Sequence, residues 1–170
     1  GAGPATLSGL ARNDTLGGEM DATIIEVAFH DDASDAALLR DPKVRNWIGR
    51  AAYQSVIRYM NEFDGASLTF VPEPPYNVRA LASGSNVVVS WLAPVAQGGS
   101  GGASGYVIYQ STNGYGFGNP VAVGNTTSFA ITNLLANRDY FFRVAATNTG
   151  GQSMPSETVA CRVSATPGTP

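Results

Sequence analysis

Asn86-Val87-Val88-Val89-Ser90-Trp91-Leu92 and Asp139-Tyr140-Phe141-Phe142-Arg143-Val144-Ala145-Ala146-Thr147 decide the fold of this chain. Both runs are rich in β-branched and aromatic residues, which suit a pleated, half-buried surface. In the first, Val87, Val89 and Trp91 share one face at the two-residue period of a strand. Runs of the same kind lie around them at 77–82, 105–111, 128–132 and 158–164, with a shorter one at 121–123. Turn signals separate these runs at intervals of about 8–12 residues, the pattern of an all-β sandwich. Residues 97–102, four of them glycine, and the Gly-rich stretch 113–119 read as loops.

Upstream of the strands the composition changes. Residues 1–65 carry 16 charges, whereas the 105 residues after them carry 7. Val71-Pro72-Glu73-Pro74-Pro75 lies near the change. Its prolines fix φ and disfavour helix before them, so 66–74 is expected to be a stiff, extended connector. The expected organisation is a unit at 1–65, the connector, a β-sandwich at 75–165 and a short tail at 166–170.

Within the first unit, Thr23-Ile24-Ile25-Glu26-Val27-Ala28-Phe29 is apolar on both faces and suits an interior strand. Asp31, Asp32 and Ser34 form a loop, and 35–40 a turn or two of helix. Asp41-Pro42 is a helix start, with Asp as N-cap and Pro at the first helical position. From there Val44, Trp47, Ile48, Ala51 and Ala52 recur at helical spacing and are expected to face a core, with the helix ending near Phe63. One strand and two helices do not enclose a core. The stretch therefore reads as the C-terminal part of a larger α/β domain. Its apolar faces need cover from the sandwich or from self-association, or else remain bare. The fold class expected is mainly β: a sandwich preceded by an incomplete α/β segment of one strand, one short helix and one long helix.

Composition excludes several functions. The 170 residues hold 10 Lys+Arg and 13 Asp+Glu, a net charge of −3, with no basic cluster to hold nucleic acid. No apolar run approaches the ~20 residues of a membrane span. A single Cys makes no intrachain disulfide, and a single His does not supply a catalytic zinc site. Only 14% of residues are charged, against roughly 25% in ordinary soluble proteins. With the lone Cys, this suits an extracellular, periplasmic or cell-envelope setting.

Two resemblances emerge from the motifs. Pro75, Val89-Ser90-Trp91 with Pro94, Gly105-Tyr106-Val107-Ile108-Tyr109, Leu134-Leu135, Tyr140 to Ala146, Asn148 to Gly151, Ser153 and Pro155-Ser156 stand in the order of landmarks of a fibronectin type III domain, which the second unit resembles. The resemblance implies that Trp91 fills the space between two sheets and that Tyr140 is a tyrosine corner bonded to backbone upstream. It implies a spacer or binding module, with polysaccharide as one class of ligand. In the first unit, Ile25-Glu26-Val27-Ala28-Phe29, the acidic loop from Asp32 to Asp35, Ala37-Leu38-Leu39-Arg40-Asp41-Pro42 and the helix from Lys43 are similar to the closing segment of zinc-dependent N-acetylmuramoyl-L-alanine amidases. It departs from that pattern at His30 and at Asp31-Asp32. That resemblance implies a parent protein that hydrolyses peptidoglycan at the lactyl–L-alanine amide, with Glu26 as the catalytic carboxylate beside the zinc. The family's metal ligands, two His and one Glu, precede this segment, so no cofactor is expected on this chain alone and it is expected to be inactive. A non-enzymatic extracellular adhesion or spacer protein is the competing reading.

The remaining candidates each have a plainer explanation. Glu26 inside an apolar strand also fits an edge position, or an ion pair with Arg12 or Arg58. His30 with Asp31 and Asp32 suggests a metal, but loop residues of this kind are more often solvated. Cys161, in the last strand, fits a small core residue better than a reactive thiol. Tyr115 and Phe117, spaced by glycines, either stack on sugar rings or fold back onto the sandwich. Asn13-Asp14-Thr15 and Asn125-Thr126-Thr127 match the short glycosylation acceptor pattern.

Overall fold

The computed structural model describes residues 25–96 and 101–165. They belong to two units, one ending at Tyr59 and the other beginning at Met60.

In the second unit eight strands alternate with turns: β1 Tyr76–Ser83, β2 Asn86–Leu92, β3 Gly105–Ser111, β4 Val121–Gly124, β5 Ser128–Ile131, β6 Arg138–Asn148, β7 Gly151–Gln152 and β8 Val159–Val163. They form two antiparallel sheets. One has the order β1-β2-β5; the other runs β4-β3-β6-β7, with β8 also paired to β6. Each run of this unit expected to be a strand is one, and β7 is added. The alternation on β2 sets its orientation: Val87, Val89 and Trp91 are buried while Val88 and Leu92 are exposed. On β6, Tyr140, Phe142, Val144 and Ala146 point into the same core, and Tyr106 and Ile108 of β3 and Val163 of β8 complete it. Trp91 occupies the middle as expected, its ring centroid 5.3 Å from that of Tyr106. The Tyr140 hydroxyl accepts the Leu135 N–H at 2.9 Å, which ties the entry of β6 to the chain before it.

After β7 the chain passes Pro155, which has no N–H for a ladder. Two hydroxyls fill the gap. Ser153 Oγ accepts from the Ala146 N–H and Ser156 Oγ from the Val144 N–H, each at 3.0 Å. The Ser153 and Ser156 amides donate back to the same residues' carbonyls at 2.8 Å.

The stretch expected to be a connector is packed onto the sandwich. Phe70, Pro72 and Pro75 are buried, and Asn148 Nδ2 donates to the Phe70 carbonyl at 2.9 Å. Gly150 allows this approach, since a Cβ there would lie 2.8 Å from the Phe70 carbonyl carbon and oxygen. Proline keeps this lead-in straight, and the β6–β7 turn gives it a seat.

Two helices precede it: α1 Ala33–Arg40 and α2 Pro42–Asp64. Their ends follow the sequence. Asp32 caps α1 through Ser34 N and Asp35 N, and Asp41 Oδ1 accepts the Lys43 N–H at 2.8 Å ahead of Pro42's turn. Arg45 Nη1 donates to the Leu39 and Arg40 carbonyls at 2.7 and 3.1 Å, closing the C-terminal end of α1.

Two expectations for this region are corrected. Residues 25–29 form no strand, and Ile25, Val27 and Phe29 are more than half exposed; Thr23 and Ile24 lie outside the described residues. The stripe from Val44 is not core, because no residue of α1 or α2 is buried and Trp47 is 55% exposed. A strand exists only where a neighbour takes its amides, and a helix face is core only beneath a second layer. The local helix signals needed neither and were fulfilled.

Candidate functional site

Glu26 lies exposed on the extended segment before α1. Burial therefore demands no partner for its carboxylate. Of the two arginines considered for it, Arg12 lies outside the described residues.

The turn that follows is built by its acids. Asp32 Oδ1 accepts the Ser34 N–H at 2.9 Å, the Asp35 N–H at 3.0 Å and the Ser34 hydroxyl. These bonds hold the Asp32 carboxyl below the usual carboxylate range, chiefly through the Ser34 hydroxyl and then through the two amides. Asp35 Oδ2 reaches back to the Phe29 N–H at 2.9 Å. Phe29, Asp31, Asp32, Ser34 and Asp35 line a shallow, open hollow. One oxygen of each of Asp32 and Asp35 accepts from the turn, and among the described residues no group of three His, Cys, Asp or Glu is arranged to hold a metal. His30 stands exposed on the turn without such a set.

On the sandwich, the β3–β4 loop separates the two aromatics that the sequence pairs. Phe117 is covered: the Arg143 guanidinium lies 4.3 Å from its ring centroid, and Arg143 Nε donates to Thr158 Oγ1 at 2.7 Å. Tyr115 is 94% exposed. The loop beneath it is tied down by Ser111 and Asn113. Ser111 Oγ accepts from the Asn113 and Gly114 amides at 3.2 and 3.0 Å, and Asn113 Oδ1 accepts from the Tyr115 and Gly116 amides at 2.9 and 3.0 Å. Ser111 also donates to Asn113 Oδ1 at 2.9 Å. Gly114 sits at φ +78° with its Cα edge against the Phe141 ring, a conformation that favours glycine. The sequence reading missed Ser111, Asn113 and Arg143, although Ser111-Thr112-Asn113-Gly114 is a turn signature.

Cys161 lies half-buried opposite Tyr140 on β8. Burial, and then the negative charge of Asp139, push its thiol pKa up, so it stays protonated and unreactive at neutral pH. Asn125, of the second acceptor pattern, is exposed; Asn13 falls outside the described residues. Among the described residues no helix is long and apolar enough to cross a membrane.

Comparison with known proteins follows this division. The family model of the fibronectin type III domain matches residues 73–162. Over 105 residues the chain is 34% identical to a Kelch domain-containing protein of Saccharolobus solfataricus, covering 61% of this chain and 13% of that protein. Among solved structures, it is similar to the twitchin kinase region of C. elegans at 31% identity and a TM-score of 0.49, covering 55% of this chain and 17% of the other. It is also similar to the FN5 domain of Drosophila Lar at 26% identity and a TM-score of 0.46, covering 56% of this chain and 100% of the other. The chain thus spans a small fraction of the curated relative and of the twitchin region.

Proposed function

The chain belongs to the fibronectin type III family through residues 73–162, and from that premise we propose that it joins such a module, a spacer and binding unit, to the closing segment of a bacterial cell-wall amidase. The parent protein would cleave the amide between the lactyl group of N-acetylmuramic acid and L-alanine in peptidoglycan, outside the cytoplasmic membrane. The observation that carries this reading is the state of α1 and α2. They form in the expected order with sound caps, yet none of their residues is buried. Helices shaped to cover a sheet, with apolar faces only partly covered, are what the end of a larger α/β domain leaves behind. The motif order from Ile25 to Pro42 supplies the chemical identity.

In this reading Glu26 is the carboxylate that moves a proton between the attacking water and the leaving amine. The zinc of that family does not fit the described residues of this chain, which offer no set of three ligands. In this reading the 170-residue chain is itself non-catalytic, because the family's metal ligands precede the segment it resembles.

The test is to incubate purified sacculi with the parent protein and measure newly freed α-amino groups of L-alanine. The wild-type parent releases them, the Glu26→Gln parent releases them about 10²–10⁴-fold more slowly, and the 170-residue chain releases none. A parent protein that frees no L-alanine, or keeps its rate with Gln at 26, overturns the reading in favour of an adhesion or spacer protein. Turnover by the short chain overturns it as well.

A further inference from the structure

Between Arg79 and Arg138 stand 58 consecutive residues without one Asp, Glu, Lys, Arg or His. This uncharged stretch contains β2, β3, β4, β5 and the β3–β4 loop. A single exposed aromatic on a protein surface needs no explanation. Tyr115 differs in what stands beneath it. The amides of Asn113, Gly114, Tyr115 and Gly116 are all taken by two side chains, and the Gly118 N–H returns to the Gln110 carbonyl at 3.1 Å. Ser111, at the root of this network, is 3% exposed. A loop so constrained fixes the backbone beneath a ring that packs on nothing, and a backbone already ordered lowers the cost of binding.

The same network orients a second group. Asn113 Oδ1 takes three donors, which fixes its carboxamide. Its Nδ2 is left with no partner among the described residues, and the residue is exposed. An exposed flat ring two residues from an oriented amide donor matches one ligand chemistry. The ring takes the C–H face of a pyranose and the amide donates to a hydroxyl or acetamido oxygen; neither group is charged, and the guanidinium that reaches this loop lies on Phe117, so the pair suits a neutral partner. Phe117 is excluded from this role by the guanidinium over it.

We propose that Tyr115 and Asn113 form a contact site for an uncharged glycan, with Tyr115 as the stacking residue and Asn113 Nδ2 as the polar contact. The site stands whether or not the chain derives from an amidase.

Nuclear magnetic resonance titration of the ¹⁵N-labelled 170-residue chain tests it, with tetra-N-acetylchitotetraose and cellotetraose as neutral probes and tetragalacturonate as the acidic one. At least one neutral probe shifts the amides of 113–116, and does so more strongly than the acidic probe. Tyr115→Ala weakens binding by at least about tenfold, as loss of an anchoring aromatic does, while Tyr115→Phe retains it. Asn113→Asp keeps an acceptor for the loop amides but loses the donor; it leaves those amides near their wild-type positions and still weakens binding. The proposal fails if neither neutral probe moves these amides, if the acidic probe binds better, or if Tyr115→Ala binds as wild type does.

Discussion

α2 and β6 carry equally clear apolar patterns, yet they end in opposite states. Phe142 and Val144 of β6 are fully buried, whereas Trp47 is 55% exposed and Val44, Ile48 and Ala52 are only partly buried. Periodicity states which face seeks cover; it does not supply the cover. In the sandwich each sheet is the other's lid, so strands distant in sequence complete one another. In the helical segment the cap bonds seen among the described residues are local, made within a few positions. The sandwich is built by long-range packing, and the helix ends by short-range hydrogen bonds.

The largest expected effect, and the sharpest contrast, come from truncating a main apolar side chain in each region. Phe142→Ala removes a ring with no exposed surface, and loss of transfer energy plus the cavity costs about 3–5 kcal/mol. That is a large part of a small domain's stability. Trp47→Ala is expected to change stability by no more than about 0.5 kcal/mol in the same denaturant titration, as exposed sites do. The Lys43 ammonium, 5.1 Å from the Trp47 ring centroid, adds little at such an exposed position. A Trp47 variant as damaging as the Phe142 variant would break the contrast, because it would mean that α2 is covered in solution.

A middle-sized effect separates polar cement from apolar packing inside the sandwich. Ser153→Ala removes the hydroxyl that takes the buried Ala146 N–H, so the unpaired amide costs about 1–3 kcal/mol. Gln152→Ala, one residue earlier, loses an exposed bond to the Tyr109 hydroxyl and serves as the control. Equal midpoints for the two variants would show that the strand after β7 is not needed to satisfy β6.

These contrasts explain what could be read from sequence. β2, β3 and β6 were legible because an inward residue at every second position is a local fact, and the order of landmarks around Trp91 and Tyr140 specified the family. β7 was not, since two residues with one glycine carry no period and pair only because Thr147 and Asn148 are already in place. The lead-in at 66–74 was legible as extended, but its docking depends on Asn148, far along the chain. Tyr115 and Phe117 look alike in their loop; Arg143, on another strand, makes them different. The reading of Glu26 as mid-strand failed for the reason that α2 stayed uncovered: the neighbours it requires are not specified by the run itself.

The smallest expected effect probes the short-range side of the comparison. The Asp32 carboxyl titrates below its ordinary value because the Ser34 hydroxyl, the Asp35 amide and the Ser34 amide favour its charged form. A carboxylate whose folded pKa is depressed contributes its stabilisation in full above the unfolded pKa and loses it as pH falls through the folded one. The start of α1 is therefore expected to fray only in acid, below the ordinary carboxylate range, while the sandwich strands hold. Ser34→Ala removes the largest of the three causes and should raise the Asp32 pKa part of the way back, because both amides still donate. Carboxyl-carbon resonance titration of the two proteins reads this directly. An unchanged Asp32 pKa in the variant would mean that the cap is made by backbone alone, and an unshifted wild-type value would mean that the turn is not closed in solution.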